Sequence, residues 1–406
     1  MTLPSVLVVH NHYQHPGGED QVFTAESALL ESRGHRVIRY AVHNEDIREM
    51  SIGQLAKATL WNAATSAAIR SIIRRERPDY AHFHNTFPLL SPAVYRAARA
   101  EGVPVIQTLH NYRLLCPNAM LFRDRRPCND CVKRRVAWPG VLHRCYRNSR
   151  AASAGVAAML AFHDAIHTWR DCIDLYLALT PFARDKFIEG GFPAERIFVK
   201  PHFVDPDPGP GTGKGNYALF VGRISEEKGI RTLLDAWALL RDVIPLRIMG
   251  EGPLAAWAEE TSQRMPRVEM SGWKPLEHVL TAMKNARFLI FPSVWYETFG
   301  LVVVQAFAAG LPVIASGLGA MTSLIQDGFT GLHFRPGDPA DLARQVRWAL
   351  DHPAELLAMR KRARNEYEAK YSAERNYTAL MEAYAIARGR KGRVLPRGTA
   401  EAGSPL

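Results

Sequence analysis

The sequence predicts an α/β fold made of two Rossmann-like domains whose parallel sheets face each other across a cleft. Short apolar segments alternate with helical patterns through residues 1–204, a segment rich in Pro and Gly interrupts them at 205–216, and the alternation then resumes. Continuous apolar strands that alternate with helices are typical of parallel sheets covered on both faces. In such sheets ligands bind beyond the carboxyl ends of the strands, so the cleft is the expected site.

The first half contains the elements of one such domain. Strands are predicted at 5–9, 36–41, 79–84, 103–109 and 175–179, with helices at about 21–32 and 55–75 and another before the fourth strand. The strand segments are short and apolar, as buried parallel strands are. We therefore place an N-terminal, acceptor-side domain at 1–204.

The second half repeats this organisation after a linker. Residues 205–216 are mostly Asp, Pro, Gly, Thr and Lys, which cannot form a core. Strands are then predicted at 218–221, 246–249, 268–270, 288–291 and 313–315. We place the second domain at 217–365, a C-terminal helix that packs back on the first domain at 366–387, and a disordered basic tail at 388–406.

Composition and charge exclude several classes of protein. Of the 406 residues 47% are hydrophobic and 22% are charged, as in globular proteins. No stretch of about 18 apolar residues and no N-terminal signal segment is visible, which argues for a cytoplasmic protein. The 51 Lys and Arg against 40 Asp and Glu give +11, which attracts anionic partners. A nucleic-acid partner is not expected, because aromatic and basic residues do not interleave on a recognised motif.

Two cationic residues follow the first strand of the second half. The strand at 218–221 leads into Gly222-Arg223-Ile224-Ser225-Glu226-Glu227-Lys228-Gly229, and a helical pattern follows. Arg and Lys beside a helix N-terminus suit a diphosphate, because the helix offers free N–H groups. An ordinary solvated loop is the alternative interpretation of the isolated pair.

Three further strand ends favour the phosphate interpretation. The strand at 246–249 ends in Gly250-Glu251-Gly252-Pro253, and that at 268–270 ends in Ser271-Gly272-Trp273-Lys274. The strand at 288–291 is followed by a segment from Pro292 to Gln305 that opens a helix. Glu297 lies at this helix start, where its charge favours the helix dipole; a plain helix-capping carboxylate is the alternative.

This combination, in its order and spacing, resembles the retaining, nucleotide-sugar-dependent glycosyltransferases of family 4, which have the GT-B fold. The resemblance implies that Arg223 and Lys228 grip the donor diphosphate and that Glu297 contacts hydroxyls of the donor sugar. It implies no metal in catalysis. The other residues it places at the donor are Gly222 and Gly252, Trp273 and Lys274 at the base, and Thr298, Phe299, Gly300 and Leu301 in a helix that begins at Thr298.

One position departs from the family pattern. The second acid of the Glu-x7-Glu motif is Gln305 here. An amide oxygen still accepts hydrogen bonds from ribose hydroxyls, but without charge each bond is roughly half as strong. Donor affinity or nucleotide preference is therefore where we expect a difference.

In the first half the resemblance points to two strand ends. Gly17 and Gly18 match the family's Gly-rich loop, and His110, after the strand at 103–109, matches its active-site histidine near the donor sugar. His84 and Asn85 are expected at most to line the cleft, and His82 to be structural. A metal site at His10, His12 and His15 is rejected, because their spacing fits no standard one.

An insertion at 113–150 carries most of the cysteine. Cys116, Cys128, Cys131 and Cys145 include one Cys-x-x-Cys pair, which suits half of a structural zinc site. A disulfide is disfavoured in a reducing compartment, so zinc and unconnected thiols remain as interpretations. Cys172 is expected in the core.

The same insertion is strongly basic. From Cys116 to Arg150, nine Lys and Arg stand against two Asp, a net of +7. This charge suits a phosphorylated lipid acceptor or the anionic inner face of a membrane, and a solvated basic surface is the alternative. Arg125, Arg126, Arg134 and Arg135 are the cations whose removal tests the membrane interpretation.

These observations predict a glycosyltransferase that moves a sugar from a nucleoside-diphosphate sugar to a hydroxyl acceptor, with retention implied by the resemblance. Polysaccharide or glycolipid assembly is the expected setting. The alternatives are a nucleotide-sugar epimerase or hydrolase on the same scaffold, or a non-catalytic module that binds the nucleotide sugar.

Overall fold

A computed structural model of the chain describes residues 3–14 and 17–391. The described residues include two sheets whose strands are all parallel. In the first half the strands lie in the order Val37–His43 (β2), Val6–His12 (β1), Tyr80–Phe83 (β3), Val105–Leu109 (β4), Leu175–Ala178 (β7) and Ile197–Val199 (β8). In the second half the order is Val268–Met270 (β11), Leu246–Met249 (β10), Ala218–Val221 (β9), Phe288–Phe291 (β12), Val313–Ser316 (β13) and Gly331–Phe334 (β14). The structure thus has the two Rossmann-like sheets that the sequence predicts.

The described residues of the N-terminal domain form eight strands, two of which make a small hairpin. They are β1 (Val6–His12), β2 (Val37–His43), β3 (Tyr80–Phe83), β4 (Val105–Leu109), β5 (Phe122–Arg123), β6 (Arg126–Pro127), β7 (Leu175–Ala178) and β8 (Ile197–Val199). The helices are α1 (Gly18–Ser32), α2 (Ile52–Leu60), α3 (Ala63–Glu76), α4 (Ala93–Ala100), α5 (Trp138–Leu142), α6 (Arg150–Ala165), α7 (Thr168–Asp171) and α8 (Pro181–Glu189). The sequence patterns missed β8 and the hairpin.

The single helix predicted at 55–75 is wrong, because α2 and α3 are separate. The side chain of Asn62 caps α3 by accepting hydrogen bonds from the N–H groups of Ala64 and Thr65. Its amide also donates to the Leu89 carbonyl at 2.6 Å. An Asn in this capping conformation ends one helix and starts the next.

The second domain has the elements β9 (Ala218–Val221), β10 (Leu246–Met249), β11 (Val268–Met270), β12 (Phe288–Phe291), β13 (Val313–Ser316) and β14 (Gly331–Phe334). Its helices are α9 (Ile230–Leu240), α10 (Ala255–Ser262), α11 (Leu276–Asn285), α12 (Leu301–Ala308), α13 (Met321–Leu324) and α14 (Pro339–Asp351). In β9, Ala218 and Phe220 pack into one core and Leu219 into another, so both faces of the sheet are covered. Sequence order reverses between β9 and β12, where ligands bind in such sheets.

Two helices end the described chain, α15 (Pro353–Lys370) and α16 (Ala373–Arg390). The single helix predicted at 366–387 is therefore wrong, because the helical conformation is interrupted at Tyr371 and Ser372 caps the start of α16. Arg388 to Arg390 belong to α16 rather than to a tail, and the rest of the predicted tail, from residue 392, lies outside the described residues.

Helix α16 covers one face of the N-terminal sheet. Leu380 and Tyr384 share a core with Val6, Val8 and other strand residues. The chain thus crosses between the domains twice. The two connecting segments are in contact. The Val204 N–H donates to the Tyr371 carbonyl at 3.1 Å, and the Tyr367 hydroxyl donates to the Val204 carbonyl at 3.1 Å.

The linker at 205–216 lies along the second domain, and none of its residues is buried. The N–H groups of Gly211, Gly213 and Gly215 donate to carbonyls of Ala309, Lys284 and Asn285. The segment is therefore fastened to one domain. Among the described residues, no helix is both long and apolar enough to cross a membrane.

Candidate active site

The turn after β9 is held tightly against the segment after β12. Gly229 has φ +71°, and a Cβ there would lie 1.9 Å from the Pro292 carbonyl oxygen. The Val294 N–H donates to the Glu227 carbonyl at 2.9 Å. Only glycine fits this contact, which places Lys228 beside the segment that carries Glu297.

Lys228 and Glu297 form an ion pair in this corner. The Lys228 ammonium donates to Glu297 Oε1 at 2.6 Å, and the Ser293 hydroxyl donates to the same oxygen at 2.7 Å. Glu297 is 5% exposed, whereas the Lys228 side chain is 24% exposed. Two residues that the sequence assigns to one site are therefore in direct contact, and the cation remains accessible.

The helix expected to begin at Thr298 begins at Leu301 instead, so that prediction is wrong. Gly300 takes the left-handed conformation, with φ +98°, which delays the first helical turn. Within the described chain, the N–H groups of residues 298–302 donate to no protein acceptor. Free N–H groups at a helix start favour an anion.

The remaining donor-side residues surround this corner to different degrees. Arg223 is exposed and has no hydrogen bond or ion pair within the described part of the chain. Gly252 lies against the same turn, because a Cβ there would be 2.4 Å from the Ile224 carbonyl oxygen. The Gly222 N–H donates to the Met249 carbonyl at 3.0 Å, which joins this turn to the end of β10.

Gln305 lies on α12, in the helix turn that follows these free N–H groups. It is 6% exposed, and its side-chain amide has no hydrogen-bond partner among residues 3–14 and 17–391. Trp273 and Lys274 stand apart on the exposed loop after β11, with Trp273 65% exposed. Their contact with a nucleotide base stays a prediction.

His110 faces this corner from the N-terminal domain. The Thr298 hydroxyl donates to the His110 carbonyl at 2.7 Å, and the Tyr112 hydroxyl donates to the Glu297 carbonyl at 3.4 Å. Burial lowers the pKa of His110 well below the usual range, with neighbouring His202 and His84 adding to the effect. The histidine is therefore neutral at pH 7 and adjoins the residues that carry Glu297.

The predicted glycine pair does not form a left-handed loop. Gly17 caps α1 with an extended backbone, and Gly18 is the first residue of the helix. Neither position needs glycine for its conformation, and a Cβ on Gly18 would meet nothing within 4 Å. Open space at Gly18 leaves room for a ligand, and a role in donor binding stays a prediction.

Glu19, which sequence reasoning missed, lies beside this helix start. It accepts hydrogen bonds from the Asn111 amide at 2.7 Å and the Tyr13 hydroxyl at 3.0 Å. Burial raises the pKa of Glu19 to about 7, although these hydrogen bonds oppose the rise. Glu19 contacts Asn111, which directly follows His110. A predicted strand order that placed these two segments side by side would have indicated Glu19 as a candidate site residue.

Two of the three histidines of the rejected metal site do converge, but on an aspartate. His10 Nε2 and His12 Nδ1 each lie 2.9 Å from Asp20 Oδ1. Burial alone would raise the pKa of Asp20, but hydrogen bonds from His10 and the Gly17 N–H hold it below the usual value. The three ligand atoms lie within 4.8 Å of one another, and these hydrogen bonds account for the arrangement. His15 lies outside the described residues.

His82 and His84 are both buried. His82 contacts the Thr108 hydroxyl at 2.8 Å and the Tyr384 hydroxyl at 3.1 Å, which is a structural arrangement. His84 does not line the cleft directly; its Nδ1 lies 3.0 Å from His110 Nε2. Asn85 donates to the Asn11 carbonyl at 2.8 Å and is 6% exposed, as little as Gln305, so its place along the cleft stays a prediction.

The four insertion cysteines are neighbours but are not gathered tightly. All are free thiols, and burial raises the pKa of Cys131 to about 12, with Cys116, Cys145 and Cys128 contributing to the rise. A tetrahedral zinc site with bonds of about 2.3 Å puts its sulfurs roughly 3.8 Å apart. No three of these described sulfurs lie within 4.8 Å of one another. Cys172 is buried, in the core.

The basic insertion also exposes apolar side chains. Val136, Trp138 and Leu142 are 49%, 51% and 52% exposed. The Arg134 guanidinium lies 5.1 Å from the centre of the Trp138 ring. Arg125, in contrast, is paired with Glu226 of the second domain at 2.7 Å, so it is already engaged.

Comparison with known proteins identifies the family of both domains. The family model "Glycosyltransferase Family 4" matches residues 16–208, and "Glycosyl transferases group 1" matches residues 207–366. A 2-deoxystreptamine glucosyltransferase of Streptomyces kanamyceticus is 29% identical over 77% of this chain and 78% of its own. The sulfoquinovosyl transferase of Arabidopsis thaliana is 32% identical over 75% of this chain and 56% of its own.

Solved structures share the fold at low sequence identity. The Anabaena protein HepE in complex with UDP and glucose has a TM-score of 0.67 at 16% identity, over 94% of this chain and 100% of that one. The sucrose-phosphate synthase of Thermosynechococcus elongatus has a TM-score of 0.69 at 17% identity, over 94% and 98%. With two parallel Rossmann-like sheets and matches to both glycosyltransferase family models, the chain belongs to the GT-B glycosyltransferases.

Proposed function

We propose that this glycosyltransferase uses a nucleoside-diphosphate sugar as donor, transfers the sugar to a hydroxyl acceptor and retains the anomeric configuration. The observation that carries the proposal is the corner between β9 and β12. There an accessible Lys228 ammonium, the buried Glu297 carboxylate and the free N–H groups of residues 298–302 lie together.

The chemistry of sugar transfer suits this arrangement. The transition state resembles an oxocarbenium ion, and the departing diphosphate gains negative charge as the bond breaks. Lys228, the free N–H groups and the unpaired Arg223 are the groups that would stabilise this charge. The Lys228 ammonium is fixed in advance, since Glu297 holds it and Ser293 holds Glu297 through the same carboxylate oxygen.

Glu297 and His110 are the groups proposed for the sugar itself. Glu297 is a hydrogen-bond acceptor for sugar hydroxyls, and its second oxygen, Oε2, has no partner among the described residues. The free amide of Gln305 offers an uncharged acceptor for the ribose in place of a carboxylate. Retention follows from the resemblance to family 4 and not from a geometric feature.

The first experiment identifies the donor. Nucleoside diphosphates and nucleotide sugars are screened by thermal shift, because a ligand that binds the native state raises its stability. With the donor found, Lys228→Ala and Arg223→Ala should each lower turnover on the order of 10²-fold or more. Lys361→Ala, which removes an exposed lysine of the same domain, is the control. Unaltered turnover in Arg223→Ala and Lys228→Ala would refute the mechanism.

The products separate transfer from the alternative reactions. An epimerase converts the donor without any acceptor, and a hydrolase releases free sugar and nucleoside diphosphate. A non-catalytic module binds the donor and forms no product. We expect a glycoside only when a hydroxyl acceptor is added, with the anomeric configuration of the donor, which NMR of the product reports.

We further propose that the insertion rests on an anionic membrane surface, where a glycan or lipid-linked acceptor would be presented. Trp138 and Leu142 are four residues apart on α5 and so share one face, while Pro139 and Gly140 on the other face are buried. Exposed apolar side chains ringed by cations are typical of surfaces that insert between lipid headgroups. The Arg134 guanidinium lies over the Trp138 ring. The other cations within ten residues of Trp138 in the sequence are Lys133, Arg135, Arg144 and Arg147.

A further inference from the structure

A cluster of buried charges and histidines lies beneath His110, and the proposed mechanism does not use it. Glu26 of α1 and Lys200, just after β8, are 1% and 0% exposed. The Lys200 ammonium donates to Glu26 Oε2 at 2.7 Å. The pair is thus neutralised internally, and the remaining oxygen of Glu26 is available to act on its neighbours.

That oxygen faces one unsatisfied nitrogen. Glu26 Oε1 and His84 Nε2 are both fully buried, neither has a hydrogen-bond partner in the described chain, and they lie 3.7 Å apart. His82 is also near Glu26 Oε1, at 3.3 Å, but both of its nitrogens already contact hydroxyls, those of Thr108 and Tyr384. His84 is therefore the group whose proton the carboxylate orients.

The charge of Glu26 decides which nitrogen of His84 carries the proton. A lone pair on His84 Nε2 would face a carboxylate oxygen in the buried interior, whereas an N–H there is attracted to it. With the proton on Nε2, His84 Nδ1 is an acceptor. It lies 3.0 Å from His110 Nε2, so His110 must donate through Nε2.

The neutral His110 then has a bare nitrogen on its other side. His110 Nδ1 has no hydrogen-bond partner in the described residues and, unlike His84 Nε2, is not among the fully buried unsatisfied atoms. The ring lies against His202, at 5.1 Å between centroids, and His202 lies against Phe299 at the same distance. The nitrogen is thus accessible beside the segment from Glu297 to Gly300.

We propose that Glu26 is a positioning residue: acting through His84, it keeps the proton of His110 on Nε2 and presents Nδ1 to the cleft as a hydrogen-bond acceptor. The proposal rests on the proposed function for the identity of the ligand. The group that meets His110 is then a hydrogen-bond donor, namely a sugar hydroxyl. A phosphate oxygen, which only accepts, is directed instead to Lys228 and the free N–H groups of residues 298–302.

A metal ion is a weaker explanation of the same cluster. Ligand atoms of Glu26, His82 and His84 lie within 4.8 Å of one another. The Lys200 ammonium, however, already supplies a positive charge in direct contact with Glu26. Both His82 nitrogens are also engaged with hydroxyls.

NMR of the free protein tests the proposal without any substrate. With ¹⁵N-labelled histidine, the shifts and couplings of each ring tell the nitrogen that bears the proton from the bare one. The His110 signals are assigned by their loss in His110→Gln. We expect the proton on Nε2 and a bare Nδ1; a proton on His110 Nδ1 in the unmodified protein would overturn the proposal.

Glu26→Gln should reverse the arrangement. The Lys200 ammonium can only donate hydrogen bonds, so the carbonyl oxygen of the Gln side chain must turn to it. The amide N–H₂ of the Gln then faces His84 Nε2. His84 would carry its proton on Nδ1 and donate it to His110 Nε2, which moves the His110 proton to Nδ1. Glu31→Gln, an exposed change on the same helix, is the control and should leave the tautomer unaltered. An unaltered tautomer in Glu26→Gln would contradict the relay.

Kinetics with the identified donor test the part of the proposal that concerns the sugar. In Glu26→Gln we expect KM for the donor to rise about 3- to 10-fold, the loss of one neutral hydrogen bond, with a smaller change in kcat. An unchanged KM with a reversed tautomer would refute the contact with the sugar. If no nucleotide sugar binds the unmodified protein, the proposed function fails while the NMR result still stands. Should Glu26→Gln fail to fold, the tautomer of the unmodified protein decides.

Discussion

Replacing Gly229 by alanine should damage both the stability of the second domain and donor binding. The left-handed conformation costs a non-glycine residue about 1–2 kcal/mol. The new Cβ would also lie 1.9 Å from the Pro292 carbonyl oxygen, where contacts below 3.0 Å essentially never occur. The segment must retreat by more than 1 Å, and overpacking of this kind costs about 1–3 kcal/mol. Gly229→Ala should therefore lose about 2–5 kcal/mol.

Gly328→Ala separates the two contributions. Gly328 has nearly the same φ, +69°, but nothing lies within 4 Å of its Cβ position, so only the conformational cost applies. Thermal denaturation compares the variants, at about 2–4 °C in Tm for each kcal/mol in a domain of this size. We expect Gly229→Ala to lose about twice as much Tm as Gly328→Ala.

The donor-induced thermal shift is the second readout. Movement of the Pro292 segment displaces Glu297 and hence Lys228, so Gly229→Ala should bind the donor weakly while Gly328→Ala binds it normally. Equal losses of Tm in the two variants would show that the clash relaxes freely. A normal donor shift in Gly229→Ala would show that this contact does not set the position of Lys228.

Three further predictions concern other parts of the chain. Because burial raises the pKa of Glu19 from 4.5 to about 7, the folded state holds more protons than the unfolded state between these values, and stability falls as pH rises through this window. Glu19→Gln should flatten that fall in Tm between pH 5 and pH 8, and a slope equal to that of the unmodified protein would contradict it. Metal analysis of protein purified without chelator tests the zinc interpretation. One zinc ion per chain that is lost in Cys131→Ser would support it. A stable protein that contains no metal would refute it and favour the interpretation as unconnected thiols. Flotation with vesicles tests the membrane surface, and we expect the protein to bind anionic but not zwitterionic vesicles. This binding should weaken about tenfold or more when Trp138 and Leu142 are both changed to Ala, since burying each apolar side chain contributes about 1.5–3 kcal/mol. Unchanged binding would end that proposal.

Except for β14, which no pattern predicted, the strands of the second domain could be predicted from the sequence because they are short, apolar and bounded by turns. The ranges predicted for 218–221, 246–249, 268–270 and 288–291 coincide with β9 to β12. The ion pair of Lys228 and Glu297 joins two motifs that were each recognisable in the sequence. The start of α12 was missed because Gly300, which belongs to the motif, takes a left-handed conformation that no periodicity reveals.

Contacts between distant segments could not be predicted in the same way. Glu26 and Lys200 are 174 positions apart, and each looks like an ordinary surface residue in its own segment. Helix α16 takes part in this contact, since the Lys200 ammonium also donates to Asn376 Oδ1 of α16 at 3.4 Å, and only tertiary structure brings these segments together. Asn62 shows the local counterpart, since its capping role interrupted a helical pattern that was otherwise continuous.

The contact between Val204 and Tyr371 has a consequence for engineering. The second domain is in effect inserted into the first, because the chain enters it after Val204 and leaves it at Tyr371, and these two residues are hydrogen-bonded to each other. A fragment that stops at residue 204 would leave bare the apolar surface that Leu380 and Tyr384 protect, so it should aggregate unless residues 373–390 are supplied. Chimeras that exchange donor preference between relatives should accordingly swap the whole insert from 205 to 371 and leave both ends of the recipient chain in place.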